Sequence, residues 1–254
     1  MEINYNKLAK AITRCGVILL KSGAEIHRVE DTMERICYAY GAKTVDSYAT
    51  PGMLIISFSF EDDSILYHNI KRVHGREINL NKIDEINALS RSLNKKLLSV
   101  EELNKQLDKI DNHKTYNNPI LYLGALICSI GFAIYFNGTF LDIAFSAVMG
   151  LLMKIMLTKL EKIQVSSFIK NVFGGLFLVT ITHIASLFFN INKNIVSMSV
   201  IMLLVPGLAI TNAIKDGVNG DAISSLSRMI EAIVVAIAIA LGSLLGLYIQ
   251  GVLQ

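Results

Sequence analysis

Cysteine is scarce in this sequence, with only Cys15, Cys37 and Cys128 among 254 residues. Their number is odd and no two of them form a CxxC pair, so neither a disulfide framework nor a zinc site is indicated. We expect reduced thiols that pack as small apolar side chains.

Motifs of known enzyme chemistry are also lacking. The sequence contains no P-loop, no HExxH, no GxSxG and no HxE with a downstream CxxC, so no ATPase and no complete catalytic site is predicted. No cofactor and no metal site is implied. Residues 1–21 carry charges throughout and have no continuous apolar stretch, which excludes a secretory signal and predicts a cytoplasmic N-terminus.

Charge is nearly absent from the second half of the chain. Residues 1–118 hold 33 of the 45 Asp, Glu, Lys and Arg residues, and residues 119–254 hold only 12. This division predicts a soluble domain over 1–118 followed by a membrane domain over 119–254. Basic and acidic residues are nearly balanced in both parts, at 17 against 16 and 7 against 5, which excludes nucleic acid as a partner.

Long apolar runs dominate the second half. A bilayer core of roughly 30 Å needs about 20 mostly apolar residues for each helix, and such runs lie near 120–137, 140–157, 172–189, 195–213 and 230–250. The pattern predicts an α-helical membrane domain with five spans. Asp142 and Lys154 interrupt the second run near its ends, where we expect their side chains to reach the membrane interface.

The basic residues of the loops predict the orientation. By the positive-inside rule, six of them lie on the side of the soluble domain, and Lys193 lies on the opposite side. The six are Lys154, Lys159, Lys162, Lys170, Lys215 and Arg228. The N-terminus is therefore predicted inside and the C-terminus outside, in the inner (cytoplasmic) membrane.

The run at 195–213 contains Pro206 followed by Gly207. Proline lacks an N–H and clashes with the preceding turn, so we expect a kink or break near the middle of this helix. Broken helices form substrate sites in transporters, although a packing kink without a ligand explains the pattern equally well.

A polar segment follows this run. It contains Asn212 and then four ionisable residues of both signs, which are Asp216, Asp221, Arg228 and Glu231. Arg228 and Glu231 are three residues apart and share a helix face. Ionisable groups at a membrane entry are candidates for function, and a solvated cytoplasmic loop is the alternative.

The remaining spans contain one candidate functional residue and one helix-packing motif. His183 lies within the third span and is a candidate proton relay, although a hydrogen bond to a neighbouring helix is an equally good explanation. Gly242 and Gly246 form a GxxxG motif in the last span, which predicts close helix packing.

The soluble part is predicted to be α+β. Residues 4–21 and 22–40 are predicted as helices, with capping-box spacing between Ser22 and Glu25 and an apolar face that includes Ile26, Val29 and Met33. Strands are predicted over 43–50, 53–60 and 64–73, the first two joined by a Pro51-Gly52 turn. One long helix is predicted over 82–110, running roughly 40 Å towards the first span.

The second helix carries the stretch SGAEIHRVEDTME. Its charges can be explained as a solvated face, because Arg28 can pair with Glu25 or Asp31, and Asp31 with Arg35. Glu25 and Glu30 flank the apolar face, where we expect a carboxylate to be half-buried and paired. A membrane-tethered hydrolase or metal-dependent enzyme that uses Glu25, His27, Glu30 and Asp31 is one alternative to transport, and a sensor or assembly scaffold is another.

Three stretches together resemble the N-terminal half of the threonine/serine exporter family, in the five-span form found as a separate subunit. They are SGAEIHRVEDTMERICYAYG, ATPG and VPGLAITNAIKDGVNGDAISSLSRMIEA. The resemblance covers nearly the whole chain. The family pattern falls on Gly23, Ala24, Glu25, Arg28, Glu30, Asp31, Thr50, Pro51, Pro206, Gly207, Asn212, Asp216, Gly220, Arg228 and Glu231.

The resemblance implies secondary export of threonine, serine or related small carboxylates, driven by the proton motive force. It also implies a small membrane partner that carries the C-terminal half of the exporter, and we expect the complex to be oligomeric. The residues implied for the pathway or its gating are Pro206, Gly207, Asn212, Asp216, Asp221, Arg228, Glu231 and His183. A role of the soluble domain in substrate entry or gating is implied for Glu25, Arg28, Glu30, Asp31, Thr50 and Pro51.

Overall fold

A computed structural model describes residues 4–60, 65–75, 77–113 and 116–253. Within these residues it contains three strands and ten helices. The first part comprises α1 (Tyr5–Lys21), α2 (Ile26–Ala39), β1 (Thr44–Thr50), β2 (Met53–Ser59), β3 (Tyr67–Arg72), α3 (Leu80–Leu93) and α4 (Val100–Asp111). The second part comprises α5 (Asn118–Tyr135), α6 (Phe140–Lys162), α7 (Ser167–Phe188), α8 (Lys193–Ile201), α9 (Gly207–Val218) and α10 (Ala222–Leu253).

The chain divides into two compact units. The first contains residues 1–115 together with 208–229, and the second contains 116–207 together with 230–254. Helix α9 and the first turns of α10 therefore belong to the first unit. The composition gave no sign of this, because residues 208–229 lie between two apolar runs in the charge-poor half of the chain.

The sheet of the first unit is antiparallel, in the order β1-β2-β3. Thr50 pairs with Met53 across the Pro51-Gly52 turn, as expected from the sequence. The central strand β2 buries Leu54, Ile56 and Phe58 completely, because alternate residues of a strand face the same side. The third strand is shorter than predicted, and Ser64 lies outside the described residues.

Helices α1 and α2 cover this sheet with their apolar faces. Helix α1 packs against α2, α3 and α4 and against β2 and β3, and α2 packs against β1. Ile26, Val29 and Met33 of the predicted face of α2 are fully buried. Gly23 has a φ of +91° and separates the two helices, which is a conformation that glycine adopts without the steric cost of a Cβ atom.

The predicted capping box between Ser22 and Glu25 is wrong. Ser22 is the C-terminal cap of α1, and α2 begins only at Ile26, so Glu25 occupies the N-cap position. Its side chain makes no capping hydrogen bond within α2. The start of α2 therefore needs its hydrogen-bond acceptors from another part of the chain.

The single long helix predicted over 82–110 is also wrong, because the chain forms α3 and α4 with a break between them. The break ends at a capping box in which the Ser99 hydroxyl accepts from the Glu102 N–H and the Glu102 carboxylate accepts from the Ser99 N–H. The two helices pack against each other and against α1. They therefore complete the core of the first unit instead of forming a straight rod towards the membrane.

In the second unit, α5, α6 and α7 are long and apolar enough to cross a membrane, and α10 is the fourth such helix of the described chain. The run predicted as a span over 195–213 does not form a long helix. It is divided into α8 and α9, of 9 and 12 residues, with Pro206 in the break. The expected interruption at Pro206 is confirmed, and the count of long helices is four instead of five.

Small residues allow close contacts between the helices of the second unit. A Cβ atom added at Gly242 would lie 2.0 Å from the Val172 carbonyl oxygen of α7, and one added at Gly246 would lie 3.0 Å from Val179 Cβ. The GxxxG motif thus packs against α7, as predicted. Between α5 and α6, Gly150 packs against Ser129 in the same way.

Asp142 lies in the first turn of α6, as predicted, and it is buried with only 1% of the residue exposed. The carboxylate accepts hydrogen bonds from the Thr139 N–H and hydroxyl at the start of α6. It also accepts from the Asn192 N–H, at 2.7 Å, where α8 begins. Asp142 therefore stabilises two helix starts, and these hydrogen bonds offset the cost of its burial.

Candidate functional site

The gap between α1 and α2 is the centre of the candidate site. The chain reverses at Gly23, so the carbonyl groups of Gly23 and Ala24 and the first N–H groups of α2 lack partners within their own helices. Three side chains of α9 and α10 supply the missing partners. We call Asn212, Asp216 and Arg228 the cap cluster.

Two members of the cap cluster donate to the carbonyl groups. The Asn212 side-chain amide donates to the Gly23 oxygen at 2.8 Å. The Arg228 guanidinium donates to the Ala24 oxygen at 2.7 Å. Both side chains come from elements 189 and 204 residues later in the sequence than the carbonyl groups they bind. The turn at Gly23-Ala24 and the segment from Asn212 to Arg228 therefore form one structural unit.

Asp216 accepts at the start of α2. Its Oδ1 atom accepts from the Ile26 N–H at 3.1 Å, so it acts as the N-cap that Glu25 does not provide. Its Oδ2 atom lies 2.9 Å from Arg228 Nε, with side chains that are 0% and 3% exposed. The pair is buried, and each charge depends on the other.

Burial raises the pKa of Asp216 above its ordinary value. The Ile26 N–H and the Arg228 charge act in the opposite direction, and the neighbouring carboxylates of Asp221 and Glu25 add to the increase. The ionised form of Asp216 therefore has a desolvation cost, which the Ile26 N–H and the Arg228 charge partly offset. A change in its hydrogen-bond partners would alter its protonation more readily than that of an exposed carboxylate.

Lys215 extends the cap cluster to the surface. Its ammonium group lies 2.6 Å from Glu25 Oε1, and Arg28 lies 3.4 Å from Glu25 Oε2. The hydrogen bond from Lys215 lowers the pKa of Glu25 against a smaller effect of burial. In the sequence, Lys215 contributes only to the predicted orientation. Its contact with Glu25 could not be predicted, because the distance between the two residues along the chain gives no signal.

On the other side of α2, Glu30 is half-buried and accepts from the Ala49 N–H at 2.7 Å. Burial raises the pKa of Glu30, and the negative charge of Asp221 adds to this increase. Ala49 directly precedes Thr50 and Pro51, so Glu30 fixes the predicted turn to α2. The expectation that Glu25 and Glu30 are half-buried is confirmed, and so is the pairing of Glu25, whereas Glu30 accepts a backbone hydrogen bond.

The other charged residues of α2 lie on its surface. Arg28 pairs with Glu25, and Asp31 pairs with Arg35, as the spacing predicted. Among the described residues, no group of three His, Cys, Asp or Glu side chains is placed to hold a metal ion. Glu25, Glu30 and Asp31 form ion pairs or hydrogen bonds with other groups instead of converging on one point.

Besides Asp221, four predicted pathway residues lie outside the cap cluster. Glu231 is exposed on α10, and Pro206 and Gly207 form the break before α9. His183 is half-buried on α7, and its Nδ1 atom is buried without a hydrogen-bond partner among the described residues. Those four belong to the second unit, and the cap cluster belongs to the first.

The fold is that of a mostly helical, multi-pass membrane protein with a small three-stranded sheet. The pattern of the ThrE family, the threonine/serine exporters, matches residues 10–250. The chain belongs to this family. No solved structure matches the chain.

Three relatives illustrate the similarity. The probable threonine/serine exporter of Mycobacterium tuberculosis is 20% identical over 97% of this chain and 47% of its own length. The threonine/serine exporter of Corynebacterium glutamicum is 24% identical over 95% of this chain and 51% of its own. The probable succinate transporter subunit YjjP of Escherichia coli is 24% identical over 95% of this chain and 96% of its own. The chain thus spans about half the length of the first two relatives.

Proposed function

We propose that the chain is one subunit of a secondary transporter that exports small amino acids, such as threonine or serine, or related small carboxylates across the cytoplasmic membrane. Membership of the ThrE family supports export. The names of the relatives support both solute classes, since two are threonine/serine exporters and one is a probable succinate transporter subunit.

The proposal includes a partner. The first two relatives are about twice as long as the matched region, whereas YjjP matches over nearly its full length and is named as a subunit. We propose that a second, smaller membrane protein supplies the C-terminal half of the exporter. The working complex is then an oligomer of the two chains.

We further propose five membrane crossings, with α8 and the start of α9, as far as Thr211, forming one discontinuous crossing. The break at Pro206-Gly207 supports this, because interrupted helices are tolerated at membrane depth where they line a cavity or meet other helices. Residues 1–118 are placed in the cytoplasm and the C-terminus outside. The excess of basic loop residues on one side agrees with this orientation.

The buried Asp216–Arg228 pair is the observation that carries the mechanism. Asp216 and Arg228 lie where α9 and α10 meet the start of α2, so a movement of either helix would disturb their contacts with Ala24 and Ile26. We propose that solute passes along the broken helix and the segment from Asn212 to Glu231. Helix α2, with Glu25 and Glu30, gates entry from the cytoplasm.

Proton coupling is the remaining part of the proposal. Asp216 has a pKa raised by burial and changes its hydrogen-bond partners if α2 moves, which suits a group that binds and releases a proton. His183 and Glu231 are further candidates, and Asp221 influences both Asp216 and Glu30 through its charge. The driving force is then the proton gradient.

The test is efflux of labelled threonine, serine and succinate from cells that express this chain with and without the membrane protein that supplies the C-terminal half. We expect efflux of one solute class that requires both proteins and changes with external pH. Absence of efflux of all three solutes from cells with both proteins inserted would overturn the proposal.

The matched variant for this test is Asp216→Asn, with Asp46→Asn on the exposed face of β1 as the control. Asp216→Asn keeps a hydrogen-bond acceptor for the Ile26 N–H and removes the charge that faces Arg228. We expect Asp216→Asn to abolish efflux with normal insertion, and Asp46→Asn to have no effect. Undiminished efflux by Asp216→Asn would exclude Asp216 from the pathway.

A further inference from the structure

A cavity in the second unit lies apart from every residue assigned above. Its volume is about 410 Å³, which is within the usual range for small-molecule sites. Its lining comes from the start of α5, from α6 and from the segment after α8. The lining residues are Tyr116, Ile120, Leu121, Gly124, Ala125, Lys154, Leu157 and Leu203.

Lys154 is the single charged residue of this lining, and it is half-buried. It lies eight residues, or about 12 Å, before the end of α6. The other walls are formed mainly by aliphatic side chains, so Lys154 contributes the charge of a mostly apolar cavity.

No carboxylate among the described residues forms an ion pair with Lys154. Glu161, the acidic residue of the same half of α6, pairs with Lys170 at 3.7 Å instead. A half-buried cation within a membrane helix is costly unless an opposite charge accompanies it. The cavity thus has a charge for which the described residues provide no counter-charge.

The cavity also reaches the broken helix. Leu203 lines it and lies three residues before Pro206, in the segment where the backbone leaves the α8 helix. Substrate sites of transporters form where a helix is interrupted, because backbone groups are freed there. The lone cation and the helix break therefore lie on the same cavity.

We infer that this cavity binds the transported solute, with Lys154 pairing with a carboxylate of the solute and the aliphatic wall contacting its carbon skeleton. The inference rests on the proposed export function and adds to it a binding site outside the cap cluster. The ligand class is a small carboxylate, and both an amino acid and a dicarboxylate provide the required group.

Three substitutions at two positions test the site by different means. Lys154→Gln removes the charge, and Lys154→Arg retains it. Gly124→Leu fills the cavity without disturbing existing contacts, because nothing lies within 4 Å of a Cβ atom placed at Gly124. The matched controls are Lys159→Gln on the same helix as Lys154, and Gly131→Leu on α5, where a Cβ atom also meets nothing within 4 Å and the residue does not line the cavity.

The measurement is the concentration dependence of threonine, serine and succinate transport in proteoliposomes that contain this chain and its partner. We expect the KM of the transported solute to rise roughly tenfold to hundredfold in Lys154→Gln, since a hydrogen bond to a charged group is lost. Gly124→Leu should raise the KM similarly, and Lys154→Arg should retain most of the affinity. Both controls should match the wild type.

Three outcomes would overturn the inference. If the wild type transports a solute and Lys154→Gln and Gly124→Leu keep its KM, the site is wrong and the export function stands. If Lys154→Gln instead reduces the amount of anionic phospholipid that copurifies, with unchanged KM, the cavity is a lipid site. If the wild type transports none of the three solutes, the export function fails and the inference fails with it.

Discussion

At the scale of single residues, Asp216 has two structural tasks, which are to accept from the start of α2 and to neutralise Arg228. Because the pair is buried, Asp216→Ala leaves an uncompensated charge, which costs about 3–5 kcal/mol in the free energy of unfolding. Arg228→Met leaves the opposite charge and should cost a similar amount. Denaturant unfolding of the purified full chain measures both.

The double variant Asp216→Ala/Arg228→Met tests whether the two costs have one origin. With neither charge present, the desolvation penalty disappears, and the remaining loss should be about 1 kcal/mol for the missing cap of α2. The double variant should therefore be more stable than either single variant. Strictly additive costs would show that the two side chains are not energetically coupled.

Glu25 and Lys215 provide a second prediction at this scale, based on pH. The pKa of Glu25 is lowered by the hydrogen bond from Lys215. The stabilisation is therefore present above the ordinary glutamate pKa of about 4.3 and is lost as pH falls through the lowered folded-state pKa. Lys215→Gln should lower the free energy of unfolding at about pH 7 by 1 kcal/mol or less, since Lys215 is 53% exposed.

The same substitution at about pH 3 should have a smaller effect, because protonation of Glu25 removes the ion pair as the pH falls through its lowered pKa. The exposed Lys10→Gln on α1 serves as the comparison at both pH values. An effect of Lys215→Gln that is equal at the two pH values would contradict the role of the ion pair.

Residue-scale expectations from the sequence were good for contacts within one helix. The pairs of Glu25 with Arg28 and of Asp31 with Arg35 follow from helical spacing alone. The contacts of Asp142 with Asn192 and of Asp216 with Ile26 did not follow, because they join residues 50 and 190 positions apart. Helical spacing contains no information about such distant partners.

At the scale of elements, the contact of α7 with α10 depends on glycine. A Cβ atom at Gly242 would lie 2.0 Å from the Val172 carbonyl oxygen. This clash can be relieved only if the backbone of α7 or α10 moves. Gly242→Ala should therefore destabilise the chain by about 1–3 kcal/mol through overpacking. The measurement is thermal unfolding of the purified wild type and variant in the same detergent.

Gly251→Ala is the matched control, since Gly251 lies on the same helix and nothing lies within 4 Å of an added Cβ atom. This substitution should be neutral or slightly stabilising, because alanine has the higher helix propensity. A loss of stability equal to that of Gly242→Ala would point to a general effect of substitution in α10 instead of to packing against α7.

The wrong prediction of a single helix over 82–110 has a local physical reason. The apolar stripe over 82–110 is continuous enough to suggest one helix, but the Ser99–Glu102 capping box starts a new one. The S-x-x-E pattern was visible in the sequence and is the signal that identifies this break. In contrast, Pro206 gave a correct prediction of the interruption between α8 and α9, because a missing N–H acts locally.

At the scale of the whole molecule, the number of crossings depends on α8 and α9. Four helices are long enough to cross alone, and an even number of crossings would put both chain ends on one side. If α8 and α9 together form a fifth crossing, the ends lie on opposite sides. Residues 193–211, from the start of α8 to the residue before Asn212, are about as long as one span.

Insertion of alkaline phosphatase, which is active only outside the cytoplasm, distinguishes these cases. With five crossings, an insertion after Gln164 or after Asn219 should be inactive, and an insertion after Asn190 or a fusion at the C-terminus should be active. The Gln164 and Asn190 insertions flank α7 and serve as controls, since they do not depend on α8 and α9. Activity after Asn219 together with an inactive C-terminal fusion would show four crossings, because α10 would then start from the outer side and return the chain to the cytoplasm.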